Sequence, residues 1–106
     1  MSQSTLSYAA TAVLQSIARG YRHGFDVSRA TGLPSGTVYP ALRRLEAARL
    51  VKSAWEDHKL ARQALRPPRK YYEITRSGEE ALAAAVARYR LLDLDEGRRR
   101  LRPAKT

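Results

Sequence analysis

The apolar residues in the first third of the chain recur at intervals of three and four, which is the period of an amphipathic helix. One such stripe starts at Leu6 and runs to Tyr21, and Gly20 predicts the end of this first helix. A second, short helix is expected at about residues 25–30. Because so short a helix is unstable alone, it must pack against its neighbours. The residues of this segment available for burial are Phe25, Val27 and Ala30.

A third helical pattern follows the turn at residues 33–36. It is expected to begin near residues 35–37, because Pro40 is tolerated only within about the first turn of a helix. Ser35 or Thr37 is expected to cap its N-terminus. The opposite face is polar, and the residues predicted to face the core are Val38, Ala41, Leu42, Leu45 and Ala48.

Residues 51–55 and 69–75 are rich in β-branched and aromatic side chains and predict the two strands of a hairpin. The segment between them, residues 56–68, is too long for a tight turn and predicts an extended basic loop with a short helical piece near residues 60–65. Alternation places Tyr72 in the core and leaves Tyr71 half exposed. Trp55 is expected to pack in the core or on the hairpin rather than to stack on a ligand.

Thr75 predicts the cap of a fourth helix, at about residues 76–96. This helix is apolar on two sides, so it needs a second packing partner, and a second copy of the chain is the expected one. The stripe predicted to form the dimer consists of Leu82, Ala85, Val86, Tyr89 and Leu92. Residues 1–96 are therefore expected to form one domain, followed at 97–106 by a basic, disordered tail.

The composition narrows the function of this domain. The chain has 106 residues and a net charge of +10, and 16 of its 20 basic residues are Arg, whose planar donors suit phosphate and guanine. It has no cysteine, and its two histidines lack partners at metal-ligand spacing, so we expect no metal, no cofactor and no catalytic site. No apolar run is long enough to span a membrane, and the N-terminus lacks a signal peptide, which favours a cytoplasmic protein without a membrane partner.

Three helices followed by a hairpin are typical of a winged helix-turn-helix, a mainly α fold with a small β-hairpin. In that fold the third helix enters the major groove of DNA and the hairpin, or wing, reaches the flanking backbone or minor groove. Double-stranded DNA is therefore the expected partner. The candidate DNA-binding residues are Ser35, Gly36, Thr37, Tyr39, Pro40, Arg43 and Arg44 on the third helix, and Lys59, Arg62, Arg66, Arg69 and Lys70 in the wing.

Three segments also carry a family resemblance. Residues 20–27 (GYRHGFDV), 36–46 (GTVYPALRRLE) and 69–75 (RKYYEIT), the last followed by Gly78, resemble the PadR family of bacterial transcriptional regulators. The resemblance spans roughly residues 6–92 and implies a repressor that binds a palindromic operator as a homodimer, with the C-terminal helices packed together. The fourth helix, ending before Gly97, resembles that of the smaller family members.

The chain departs from the family pattern in two places. Arg49 precedes Leu50 where such proteins usually carry glycine, so a left-handed residue there would cost on the order of 1 kcal/mol, unless the helix closes differently. The segment between Trp55 and Arg69 is longer than the usual wing.

Two other functions remain open at this point. The first alternative is a non-specific basic nucleic-acid-binding protein, anchored mainly by its Arg-rich tail. The second is a winged-helix module that binds another protein through its fourth helix. The sequence identifies neither an operator nor a small-molecule effector, although an effector is compatible with the resemblance.

Overall fold

A computed structural model describes the backbone of residues 6–101 and the side chains of residues 6–90. The predicted class is confirmed, since the chain is mainly helical with one antiparallel hairpin in the order of a winged helix-turn-helix. The elements are α1 Tyr8–Ala18, α2 Gly24–Thr31, α3 Ser35–Ala47, β1 Val51–Trp55, α4 His58–Gln63, β2 Lys70–Ile74 and α5 Arg76–Leu101.

The core lies where α1, α2 and α3 meet. Leu14 from α1, Val27 from α2 and Leu42 from α3 are fully buried there. Complete burial of one such side chain contributes about 1.5–3 kcal/mol, so the three helices hold each other in place although α2 is only 8 residues long. This core fixes α3 and leaves one side of it free.

Three side chains of the predicted apolar sets in this region are exposed instead, namely Tyr21, Phe25 and Ala30. Helix α1 ends at Ala18 and Gly20 turns the chain with a φ of +105°, so the predicted stop is confirmed and Tyr21 lies beyond the helix. Phe25 is 58% exposed because it precedes the buried Val27 by two residues, which is roughly the opposite side of a helix. Ala30 is exposed as well.

Helix α3 begins at Ser35, within the predicted range, but two details differ. Pro34 occupies the N-cap position and no side chain caps the helix, so the expected caps Ser35 and Thr37 are wrong. Pro40 lies in the second turn rather than the first. Because proline has no N–H, the carbonyl of Gly36 receives no helical hydrogen bond, but Gly36 is exposed and water reaches this carbonyl.

The end of α3 adopts the left-handed residue, which is one of the two alternatives that the sequence left open. Arg49 has a φ of +62°; its N–H donates to the carbonyl of Glu46 at 2.9 Å, and the N–H of Leu50 donates to that of Leu45 at 2.9 Å. These two bonds form a complete Schellman motif with arginine in the position that glycine prefers. Ala48, expected in the core, is exposed because it is the last, C-cap residue of the helix.

The hairpin pairs Val51 with Ile74 and Trp55 with Lys70. Tyr72 is buried and Tyr71 partly exposed, as alternation predicted. Trp55 shares the face of the pleat with the buried Val51, but it ends β1 beyond the core and is 67% exposed. The connection, which together with both strands we call the wing (residues 51–74), contains α4, so the short helical piece expected in it is present.

Helix α5 starts as predicted, since Thr75 accepts a hydrogen bond from the N–H of Gly78 at 3.0 Å. It continues through Leu101, five residues past the predicted end at residue 96. One glycine costs a helix only about 1 kcal/mol, and the arginines that follow Gly97 are good helix formers. The Leu92 side chain and residues 102–106 lie outside the described part of the chain, and the disorder of the tail stays a prediction.

Candidate DNA-binding surface

The outward side of α3 carries the residues that the sequence assigned to DNA. Val38, Leu42 and Leu45 face the core, so the opposite side of the helix meets solvent. We call this side the recognition face. Its exposed members are Ser35, Gly36, Tyr39, Arg43 and Arg44, and its half-buried members are Thr37 and Pro40.

Arg43 and Arg44 lie on different flanks of the recognition face. Arg43 follows Tyr39 by four residues, so both lie on the flank toward the wing. Arg44 is rotated by about 100° from Arg43 and lies on the other flank. Neither guanidinium forms an ion pair with a carboxylate within the part of the chain that the structure describes. Both are therefore available to an external acceptor.

The position of Tyr39 depends on a glycine in α2. A Cβ built on Gly24 would overlap the outer ring atoms and hydroxyl of Tyr39, so the ring packs directly on the α2 backbone. Tyr39 nevertheless remains 44% exposed. It is therefore neither a core residue nor a free surface residue, because one side of its ring contacts the protein and the other faces outward.

Glu56 organises the basic loop of the wing. Both of its carboxylate oxygens accept hydrogen bonds from Arg66, at 2.6 and 2.7 Å, and one also accepts from the backbone N–H of Arg69 at 3.1 Å. The Arg66 guanidinium, helped by the Arg69 N–H, holds the pKa of Glu56 at about 2. Arg66, expected to contact DNA, is thus paired within the wing. The sequence did not indicate this pairing, because the partners are ten residues apart in an irregular loop.

Lys70 is also engaged within the chain. Its ammonium lies 3.3 Å from the carboxylate of Glu46 and 5.8 Å from the centre of the Trp55 ring. Glu46 accepts a hydrogen bond from the Ser53 hydroxyl, and this bond, with Lys70, lowers the pKa of the carboxyl group. These contacts tie the end of α3 to the wing and so fix the angle between them.

The other predicted wing residues remain open to solvent. Lys59 and Arg62 are exposed on α4, and Arg69 is partly exposed at the start of β2. Asp57 caps α4 through the N–H of Lys59 at 2.8 Å. The wing therefore presents at least three cations that no carboxylate among residues 6–90 neutralises.

A cavity of about 620 Å³, which we call the wing groove, separates the recognition face from the wing. Tyr39 and Arg43 line it from α3, Phe25 from α2, and Trp55 and Lys70 from the hairpin. Sequence reasoning missed the part played by Phe25 and Trp55, because it placed both in packing roles. The periodicity of the sequence does not show that these two aromatic side chains lie next to the cations of the groove.

His23 closes the inner end of the wing groove. It is 7% exposed, and its Nδ1 accepts a weak bond from the N–H of Asp26 at 3.4 Å, which caps α2. Burial lowers the pKa of His23; Asp26 opposes this shift, while the positive charges of Arg69 and Arg66 add to it.

Three of the residues predicted to form a dimer are used within the chain. Ala85 is 2% exposed, Leu82 packs against the core, and the Tyr89 hydroxyl donates to the carbonyl of Leu6 at 2.8 Å. Ala85 is thus already covered within its own chain, whereas Leu82 and Tyr89 are only partly buried, and a dimer role for this stripe stays a prediction. Val86 is partly exposed, and a neighbouring face with Ala83 and Ala87 meets solvent; we call it the outer face of α5.

Among the described residues, no three His, Asp or Glu side chains come together as a metal site would require. None of the helices in this part of the chain combines the length and apolar character that a membrane crossing needs.

Solved structures with similar folds support the same architecture. A PadR family transcription regulator from Clostridium difficile superposes with a TM-score of 0.72 at 22% identity, covering 87% of this chain and 97% of that one. A PadR-like regulator from Bacillus cereus gives 0.69 at 22% identity, covering 89% and 92%. BpsR of Bordetella bronchiseptica, whose DNA binding is described as regulated by 6-hydroxynicotinic acid, gives 0.71 at 20% identity, covering 90% and 67%.

No curated protein matches the chain. The model of the transcriptional regulator PadR-like family, in contrast, matches residues 13–84, which include α2, α3 and the whole wing. The chain therefore belongs to the PadR-like family of transcriptional regulators, which are DNA-binding proteins and not enzymes.

Proposed function

We propose that this regulator is a sequence-specific repressor that binds a palindromic operator as a homodimer. The observation that carries the proposal is the recognition face, where Arg43 and Arg44 project from a helix anchored by the core and have no carboxylate partner in the described chain. Arginine on a helix in the major groove reads guanine through its O6 and N7 atoms. A repressor must be in the same compartment as its operator, and the proposal therefore includes the cytoplasmic location expected from the sequence.

The proposal divides the recognition face by position. The first turn, with Ser35, Gly36 and Thr37, offers backbone N–H groups and a hydroxyl to a phosphate. Tyr39 donates to the DNA backbone from its fixed place on Gly24, and Pro40 contacts it sterically. Arg43 and Arg44, one turn further on, supply base contacts.

The wing supplies positive charge to the flanking backbone. Lys59, Arg62 and Arg69 are the proposed phosphate contacts because they are not neutralised within the described chain. Arg66 and Lys70 support DNA binding through the shape of the wing, since Glu56 and Glu46 hold them.

The homodimer is proposed to form on the outer face of α5. Ala83, Val86 and Ala87 let a second helix approach closely, and Tyr8 of α1, 66% exposed, lies beside them. Leu92 extends the same helix in the proposal. Two recognition helices held about 34–36 Å apart would enter successive major grooves and read a palindrome.

A small-molecule effector is part of the proposal only in general terms. The support is the structural likeness to BpsR, whose DNA binding responds to such a molecule. That likeness, at 20% identity, concerns the fold and does not carry the ligand over to this chain.

The test of the base readers is DNA binding by Arg43→Ala and Arg44→Ala. Loss of a base contact is expected to cost about 1–3 kcal/mol on the operator and little on shuffled DNA, whereas loss of a phosphate contact weakens both and reduces the salt slope by about one. Arg76→Ala is the matched control, because Arg76 is 92% exposed and lies at the start of α5. Full operator affinity in both recognition variants would reject this assignment.

The test of the dimer is sedimentation of Ala87→Arg. A charged side chain on a close helix contact is expected to convert the dimer into a monomer without unfolding it, because Ala87 is exposed. Ala18→Arg, an exposed alanine at the end of α1, is the control and should stay dimeric. A monomeric parent protein would refute the homodimer.

A further inference from the structure

Three aromatic side chains line the wing groove and are exposed to solvent. Phe25 is 58% exposed, Trp55 67% and Tyr39 44%. They come from three separate elements, α2, β1 and α3, and line one cavity of about 620 Å³. Cavities of roughly 300–1,000 Å³ lined by aromatic groups and a few polar ones are typical of small-molecule sites. The rings offer faces on which a planar group can stack.

The charges of the wing groove indicate that the ligand also carries an anionic group beside the planar group that stacks on the rings. Four cations line it, and Glu56 neutralises Arg66 while Glu46 neutralises Lys70. Arg43 and Arg69 remain, which leaves about two positive charges. A phosphate monoester carries about −1.5 to −2 at neutral pH and suits guanidinium donors, so it matches this excess better than a single carboxylate does.

We propose that the wing groove binds a small ligand that joins an aromatic ring to a phosphate, as a mononucleotide does, and that the bound ligand excludes DNA. The second part rests on the proposed function, in which Arg43 and Arg69 contact DNA. The same guanidiniums cannot serve both partners at once. The ligand is thus a competitor for the DNA surface itself, and it needs no conformational change to release the regulator.

Trp55 supplies a direct readout, because it is the only tryptophan in the sequence and lines the groove. The probe is adenosine 5′-monophosphate, added to the full chain without DNA. Saturable quenching of Trp55 fluorescence is expected, and adenosine, inorganic phosphate and benzoate should each bind at least about tenfold more weakly, since each lacks half of the recognised chemistry. No quenching by the nucleotide at about 10 mM, or equal quenching by benzoate, would overturn the proposal.

Two variants locate the site. Phe25→Leu removes a ring and Arg69→Gln removes a charge, and each is expected to weaken nucleotide binding about tenfold. Their matched controls are Tyr21→Leu, 45% exposed after α1, and Lys52→Gln, on the outer side of the hairpin; both should bind as the parent does. Equal loss in test and control variants contradicts a site in the groove.

A second experiment, in which the nucleotide competes with DNA, distinguishes this inference from the proposed function. The nucleotide should raise the apparent dissociation constant for DNA in proportion to its own occupancy. Quenching without displacement of DNA that does bind overturns the claim of one shared surface. Quenching in a protein that binds no DNA refutes the proposed function and leaves the ligand site standing.

Discussion

The packing of Tyr39 on Gly24 predicts that Gly24→Ala displaces the tyrosine ring. The new methyl group would occupy the place of the outer ring atoms, and these can move because Tyr39 is 44% exposed. About half of the side chain, on the order of 100 Å², is covered, so complete loss of its packing costs at most roughly 2.5 kcal/mol at 25 cal/mol per Å². Since the displaced ring finds some new contacts, we expect a destabilisation of about 1–2 kcal/mol.

A double-mutant cycle with Tyr39→Ala measures this contact. Gly24→Ala should be nearly neutral once the ring is absent, because Gly24 begins a helix without a positive φ and alanine suits that position. Urea unfolding followed by circular dichroism gives the four free energies, and a coupling of about 1–2 kcal/mol is expected. Additive effects would show that the ring does not rest on Gly24. DNA affinity should follow the same pattern, with the double variant no worse than Tyr39→Ala.

Three further predictions concern the frame around the site. Arg49→Gly should stabilise the protein by about 1 kcal/mol in urea unfolding and leave operator affinity unchanged, because it relieves the left-handed arginine; a loss of stability would contradict the Schellman geometry. Gly78→Ala should destabilise the protein by about 1–3 kcal/mol or more, as measured by thermal unfolding. The reason is that its Cβ would overlap the backbone carbonyl of Leu50, which cannot move aside as the Tyr39 ring can. Full stability of this variant would reject the contact. The pKa of Glu56 is about 2 in the folded state against an ordinary 4.5, so its carboxylate stabilises the folded protein fully above pH 4.5 and loses this effect as the pH falls toward 2. The difference in unfolding free energy between the parent and Glu56→Gln, measured by urea titration, should therefore shrink over that pH range. A constant difference would contradict the pairing with Arg66.

The elements of the fold were predictable because each rests on local patterning. The helical period around Val38 and Leu42 identified α3, whereas the sequence left the conformation of Arg49 open between a left-handed residue and a different helix end. The packing partner of the stripe on α5 was not predictable, because periodicity shows that Leu82 and Ala85 lie on an apolar side of the helix but not what covers that side. In the structure Leu82 packs against the core of its own chain and Ala85 is buried.

The candidate site divides in the same way. Exposure of Arg43 and Arg44 followed from the period of α3, since they lie opposite its buried residues. The pairing of Arg66 with Glu56 depends on the path of a loop, and the wing groove depends on how three elements converge. Neither arrangement leaves a periodic signal in the sequence.

The central claim is that this regulator recognises a specific DNA sequence. Fluorescence anisotropy of the full chain against the DNA upstream of its own gene, with a shuffled duplex of equal length and a salt series, tests it most directly. We predict that the upstream duplex binds at least about a thousandfold more tightly near physiological salt. Equal binding of both duplexes, fading together as salt rises, would contradict the claim and leave only a basic surface that attracts any nucleic acid.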